Sequence, residues 1–290
     1  MKKPLENKVA VVAGATRGAG RAIAEMLGAA GAIVYATGRS VRGQPSDIDR
    51  RETIEETAER ITQAGGSGIA VRVDHTEPEQ VKALFERIDR EHNGRLDILV
   101  NDIWGGEKLT EWGTPFWEGS LGKALTMQKR AVHTHMITSY YGIPLLARRR
   151  SGLIIEVTDG YDYRYRGNLP YSLAKISVIH LAEAQAAELK SYGVTAVAVT
   201  PGFLRSEEML DHFGVTEANW REAGKQDIHF LQSETPYFLG RGLAALAADP
   251  AHIEKTGKAL TSWGLSDEYG LSDVDGNRPH WGKYAAENGF

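Results

Sequence analysis

Tyr171 and Lys175 stand four residues apart in the stretch LPYSLAKISVIHL, a spacing that puts both on one face of a helix. A phenol with a pKa near 10 is a poor acid at neutral pH, and a neighbouring ammonium favours the phenolate. The pair is therefore a candidate proton donor, with Tyr171 delivering the proton and Lys175 tuning it. Upstream, closing the apolar run GLIIEVT, is Asp159. A carboxylate can only accept hydrogen bonds. Reduction of a ketone builds negative charge on oxygen, and two like charges ~4 Å apart at an effective dielectric of ~20 repel by about 4 kcal/mol. That is nearly three powers of ten in rate, unless Asp159 keeps a proton through a pKa raised about three units above ~3.9. Reduction of a C=N bond reverses the sign. Its reactive form is often the protonated iminium, which a carboxylate stabilises.

A second constellation opens the chain. VAVVAGATRGAGRAIAEML places Gly14, Gly18 and Gly20 between an apolar strand and a helix, with Thr16 and Arg17 inside the loop. Glycines there let the backbone approach a pyrophosphate, which the helix N-terminus favours through free N–H groups and its dipole. The context of strand, glycine loop and helix predicts dinucleotide binding. An acidic residue ending the second strand would hold the ribose 2′-OH of NAD. VYATGRS has none; it offers Arg39 and Ser40. With Arg17 these suit a 2′-phosphate, so NADP(H) is the expected cofactor.

The elements that must carry these residues are strands at Lys8–Ala13, Ile33–Thr37, Ile69–Val73, Ile98–Asn101, Leu153–Thr158, Thr195–Thr200 and Ala259–Ser262. Between them helical periodicity predicts Gly18–Ala30, Thr53–Gln63, Pro78–Glu91, Leu121–Ala147, Pro170–Ser191 and Thr235–Ala248. The expected fold is α/β: a Rossmann-type doubly wound parallel sheet of about seven strands with helices on both faces. One domain is expected over residues 1–290. Segments 40–51, 104–120 and 203–233 break the alternation and belong at the carboxyl edge of the sheet, where ligands bind. Trp104, Trp112, Phe116, Trp117, Phe203, Trp220 and Phe230 load the last two. They either pack the loops down or wall a pocket for a flat substrate.

Together these pieces resemble the short-chain dehydrogenase/reductase superfamily over roughly Lys8 to Ser262. The resemblance rests on the Gly14–Gly20 loop, Asp74 after the third strand, Asn101 ending the fourth, Tyr171-x-x-x-Lys175, and Pro201-Gly202 after the sixth. It implies that Asp74 bonds the adenine amino group, that Asn101 holds the loops around the cofactor, that Lys175 holds the nicotinamide ribose, and that Pro201 and Gly202 belong to the cofactor site. Two family positions depart. The usual pair of serines falls on Thr158 and Asp159, and the usual asparagine of the preceding long helix falls at Ala131, with His133 and His135 nearby. Asp159 in that place is similar to the pteridine reductase and dihydromonapterin reductase branches, which reduce pterin C=N bonds. An imine-like or pterin-like substrate is the first expectation. Ordinary ketone or aldehyde chemistry, with Asp159 protonated or swung aside and Thr158 helping, is the alternative. A third reading is an NADP(H)-binding sensor or scaffold.

Composition excludes other classes. There are no cysteines, hence no disulfides or thiolate nucleophiles. A net charge of −4 gives no sign of a nucleic-acid or membrane partner. His133 and His135 do not share a helical face, so no metal is expected. No run reaches the ~18–20 apolar residues of a membrane span, and the N-terminal apolar run is too short for a signal peptide; a cytoplasmic protein is expected. Phe203–Met209 reads as a lid, with Arg205 and Glu207 candidates to touch substrate. DVDGN at 273–277 reads as a turn. The C-terminal RPHWGKYAAENGF is expected to pack across a subunit boundary, and the two longest helices to pair in a homodimer or homotetramer.

Overall fold

Seven short apolar segments pair side by side in the computed structural model, which describes residues 2–44, 48 and 50–289. They are β1 (Val9–Ala13), β2 (Ile33–Gly38), β3 (Ser67–Arg72), β4 (Ile98–Asn101), β5 (Gly152–Val157), β6 (Val194–Thr200) and β7 (Ala259–Thr261). The order is β3-β2-β1-β4-β5-β6-β7, and every pairing is parallel. Parallel strands need covered crossovers. These are α1 (Gly18–Ala29), α2 (Ile54–Gln63), α3 (Pro78–Glu91), α4 (Leu121–Gln128), α5 (Thr134–Arg149), α6 (Leu169–Leu189) and α8 (Pro236–Ala248). Beyond the alternation lie α7 (Glu207–Phe213), α9 (Ser262–Tyr269) and α10 (Trp281–Asn288). Strand residues alternate between two cores. Ala10, Val12 and Val34 face α1 and α8, whereas Val9, Val11 and Tyr35 face α3 and α5. The expected sheet is thus the observed one, with strand ends shifted by one or two residues.

Two expectations are corrected. The helix read as one from Leu121 to Ala147 is interrupted by a π-helical turn at Lys129–His133. That turn is stabilised by Thr134 Oγ1 donating to Arg130 O (2.8 Å) and Arg130 Nη1 to Gly105 O (3.2 Å). Such turns carry one extra residue per turn and are frequent at functional sites; this one buries Ala131 with Met127 and Ala174, against Trp104 and Tyr171. The 203–233 segment is also no open loop. It holds α7 and two 3-10 turns over a core of Phe213, Val215, Trp220, Ala223 and Phe230. Within the 40–51 segment, residues 45–47 and 49 lie outside the described residues.

Candidate active site

The strand order reverses between β1 and β4, and over that point opens a cleft of about 800 Å³. It runs from the β1–α1 turn past Arg39, Ser40 and Asp74 to Asp159, Tyr171 and Lys175, ending at Trp263 and Trp281.

At one end the glycines make a narrow crossing. Gly14 has φ +88°, and a Cβ there would stand 2.2 Å from Asp102 O; one on Gly20 would stand 2.3 Å from Gly14 O. Gly18 is different: a Cβ on it would meet only Glu207 Oε2 and Ser206 Cβ, both at 3.9 Å. Its N–H donates to Glu207 Oε2 at 2.9 Å, so a carboxylate from α7 already sits at the N-terminus of α1, where helix geometry favours anions. Thr16 is buried and its carbonyl accepts from Arg21 Nε at 3.1 Å. Arg17 is ion-paired with Glu107 at 3.2 Å. Arg39 is exposed at the rim and Ser40 is buried. Burial disfavours ionisation of Asp74, but hydrogen bonds from Thr76 N and Oγ1 (2.9 and 2.8 Å), with the charge of Arg39, hold its pKa below the usual range.

At the other end Asn168 caps α6, its Oδ1 accepting from Tyr171 N at 3.2 Å. This cap, with Pro170 in the first turn, sets Tyr171 at the helix start and Lys175 one turn on. Tyr171 Oη donates to Asp159 Oδ2 at 2.8 Å. Burial and the Asp159 charge push the Tyr171 phenol well above its ordinary pKa, contrary to the lowering expected from Lys175. Burial lowers the Lys175 pKa despite the pull of Asp159 and Asp102, and its Nζ lies 3.9 Å from the centroid of the Trp104 ring, a cation–π contact. Trp104 in turn stands edge-on to Tyr171. Thr158 Oγ1 is committed to Lys175 O at 2.7 Å. Asp102, on the cleft wall, is pushed up to about 7 by burial, against the charges of Lys175 and His135 and a hydrogen bond from the Gly20 N–H.

Beneath the cleft lies a buried polar network. Asn101 Nδ2 donates to Ser139 Oγ and Glu156 Oε1, each at 3.0 Å. Gln185 Nε2 reaches Glu156 Oε1 at 2.9 Å, and His135 bridges Glu156 Oε2 (2.7 Å) and Ile103 O (3.1 Å). His135 therefore anchors the segment after β4 and does not face the cleft; His133 is exposed. The glutamate inside an apolar strand was the visible signal of this network, since a buried carboxylate must find donors.

Several other expectations are placed by the geometry. Pro201 and Gly202 line the cleft, and Glu234 Oε2 accepts from Gly202 N at 3.0 Å. Arg205 does not reach the cleft: it is buried, bridging Glu217 (2.8 Å) and Asp275 (3.3 Å) and stacking on Trp220, so it pins the 203–233 segment. The aromatic load divides. Trp220 and Phe230 are core, Trp104, Trp112 and Phe203 line the cleft, and Phe116 and Trp117 are exposed. The C-terminal segment packs on its own chain. Trp281, Gly282 and Ala285 of α10 line the cleft, and Tyr284 Oη meets His229 Nδ1 at 2.8 Å. The sequence reading missed Arg166, Glu107, Asp102 and the α10 wall.

The chain belongs to the short-chain dehydrogenase family: the family model described as "short chain dehydrogenase" matches residues 8–214. It is 34% identical over 279 residues to dehydrogenase/reductase SDR family member 1 of Homo sapiens, covering 95% of this chain and 86% of that one. Among solved structures, a short-chain dehydrogenase of Mycobacterium thermoresistibile superposes with a TM-score of 0.78 at 23% identity, over 96% of this chain and 92% of that one. A putative NAD(P)-dependent gluconate 5-dehydrogenase of Beutenbergia cavernae, with bound NADP, gives a TM-score of 0.71 at 25% identity, over 90% and 97%. Family, fold and oxidoreductase class are thereby fixed. Among the described residues no helix is long and apolar enough to cross a membrane.

Proposed function

We propose that this protein is an NADPH-dependent reductase of C=N bonds in flat, imine-like or pterin-like small molecules, with Tyr171, Lys175 and Asp159 as its reacting set. The observation that carries the reading is the hydrogen bond from Tyr171 Oη to Asp159 Oδ2. Proton delivery from Tyr171 to a ketone-derived alkoxide would leave a phenolate 2.8 Å from a carboxylate, a repulsion of about 6 kcal/mol at an effective dielectric of ~20. An iminium needs no such step. Its positive charge meets the Asp159 carboxylate, the product is a neutral amine, and Tyr171 keeps its proton while orienting Asp159. A neutral imine takes its proton from solvent before hydride transfer and then enters the same step.

The residues present fit a dinucleotide. Glu207 holds an anion's place at Gly18 N, and the cleft continues from there to Lys175. In this reading NADP(H) supplies the hydride. Gly14, Thr16, Gly18 and Gly20 take the pyrophosphate, Arg17, Arg39 and Ser40 the 2′-phosphate, and Asp74 the adenine. Asn101, Pro201 and Gly202 shape the nicotinamide end, and Lys175 holds the ribose. Binding of NADP by the Beutenbergia cavernae relative supports this choice. Exposed Leu121, Leu125, Met136, Tyr140 and Leu173 on α4–α6 suit a homodimer or homotetramer.

The second reading is ordinary carbonyl reduction or alcohol oxidation, favoured by the name of that same relative, a putative gluconate 5-dehydrogenase. Thr158 gives it no help, being bonded to Lys175 O. NADPH oxidation with 3,4-dihydroisoquinoline and with 1-tetralone, followed against pH in wild type and Asp159→Ser, separates the two. The C=N reading expects the variant to lose imine turnover and gain ketone turnover. A fall in ketone turnover would end it.

A further inference from the structure

Trp104 opens the long segment after β4, and the mechanism above gives it no task. Its ring is held on several sides. Gly106 lies against it: a Cβ there would stand 2.4 Å from Cζ2 and 2.6 Å from Cη2 of the indole, so no larger residue admits the ring in this place. The indole packs on Met127, Ala131 and Ala174 and stands perpendicular to the Tyr171 ring, 86° at a centroid distance of 5.5 Å. Lys175 Nζ lies over the indole, 3.9 Å from its centroid, and 5.5 Å from that of Tyr171. Beyond these rings the ammonium has no direct partner: among the described residues no carboxylate forms an ion pair with Nζ and no acceptor takes a hydrogen bond from it. Four charges act on it from farther away. Asp159 after β5, Asp102 after β4 and Glu107 in the 104–120 segment favour the ammonium, and Arg166 before α6 opposes it.

An ammonium drawn out of water needs a group to answer its charge. Carboxylates do so by taking its N–H bonds, as Asp249 and Glu268 do for Lys255 at 3.3 and 2.7 Å. A ring face answers the charge through its quadrupole and offers no acceptor oxygen to hold the donors. We propose that Trp104 is the positioning residue of Lys175: its ring face holds the ammonium at the cleft wall and leaves the N–H donors to whatever enters the cleft. Both residues line that cleft, and neither is fully buried. The inference rests on the proposed function only for what Lys175 then does with its donors, which is to hold the cofactor ribose. It bears equally on C=N and on C=O reduction.

The test reads the lysine itself, by NMR of the full chain carrying isotope-labelled lysine, without cofactor or substrate. The Lys175 side chain is identified by its loss from the spectrum of Lys175→Arg. In wild type its ε-protons should resonate well upfield of the other lysines, because they stand over an aromatic ring. In Trp104→Leu that displacement should vanish and the Lys175 titration midpoint should fall, the protonation constant dropping at least about ten-fold. Trp104→Phe should keep part of both, since Trp offers the better face. Asp159, Asp102, Glu107, Arg166 and Tyr171 are unaltered in both variants, so the change belongs to the ring. Lys175 resonances at the ordinary lysine position in wild type overturn the proposal, as does a midpoint that stays or rises in Trp104→Leu. If that variant does not fold, which its melting shows, Trp104→Phe carries the test with a fall of about three-fold, and an unmoved midpoint there overturns the proposal. Failure to reduce 3,4-dihydroisoquinoline ends the C=N reading and leaves the role of Trp104 standing; an undisplaced Lys175 does the reverse.

Discussion

Of the carboxylates that line the cleft, Glu207 and Asp159 stand at opposite ends and do opposite things. Glu207 accepts a hydrogen bond from the Gly18 backbone N–H; its charge is answered by a helix terminus, and any other anion could take its place. Asp159 accepts from the Tyr171 phenol; its charge is answered by a titratable group, and it changes that group's acidity. An anion on a backbone donor governs occupancy, whereas an anion on a titratable donor governs chemistry. Both are acidic residues at the carboxyl edge of one sheet, Asp159 just after β5 and Glu207 opening α7, and their donors distinguish them.

That contrast can be broken in order of size. Tyr171→Phe should lower kcat on 1-tetralone, which must take its proton, by about a thousand-fold and kcat on the cyclic iminium far less, with NADPH affinity unchanged, read by stopped-flow single turnover and fluorescence titration; equal losses on both would contradict the role given to Tyr171. Asp159→Ser should cost roughly a hundred-fold on the cyclic imine, and the phenol should titrate lower once the carboxylate is gone. At the other end, Glu207→Ala should tighten NADPH binding by about three- to ten-fold, since the cofactor no longer displaces a resident anion, and should leave the imine-to-ketone preference alone. A change in that preference would merge the two ends.

The smallest effect concerns Glu234, whose carboxyl is pushed up to about 8 by burial while accepting from Ser262 Oγ (2.6 Å) and Gly202 N. Between about pH 4.5 and 8 the folded chain holds a proton there that the unfolded chain has released, so stability falls as pH rises through that window. Thermal melting should drop on the order of 5 °C between pH 5 and 8. Glu234→Gln should remove most of that slope, leaving the part of like sign that Asp102 contributes. A melting curve in the variant as steep as wild type would contradict the assignment.

The glycine end of the cleft was readable because its pattern is local. Gly14, Gly18 and Gly20 lie within one turn, and the strand before them and helix after them follow from periodicity alone. Tyr171 and Lys175 were legible for the same reason, one helical turn apart. The rest depends on chain brought from far away. Glu207 reaches Gly18 across 189 residues of sequence, α10 returns to wall the cleft, and Arg205 turns inward to Glu217 and Asp275. The π-turn at Lys129–His133 escaped because periodicity over Leu121–Ala147 is nearly the same with or without one extra residue. Asp159 was singled out by type and place, but its effect on Tyr171 was not. An expected lowering by Lys175 gave way to a raising by burial and charge, which only the fold determines.

The central claim is that the charge of Asp159, not its shape, selects the reacting atom. Asp159→Asn keeps the shape and removes the charge. The measurement is the ratio of kcat/KM for 3,4-dihydroisoquinoline to that for 1-tetralone, in wild type and in this variant at pH 7. A ratio that favours the imine in wild type and falls at least about thirty-fold in the variant is the predicted result; a ratio that holds steady, or a wild type that prefers the ketone, would contradict it.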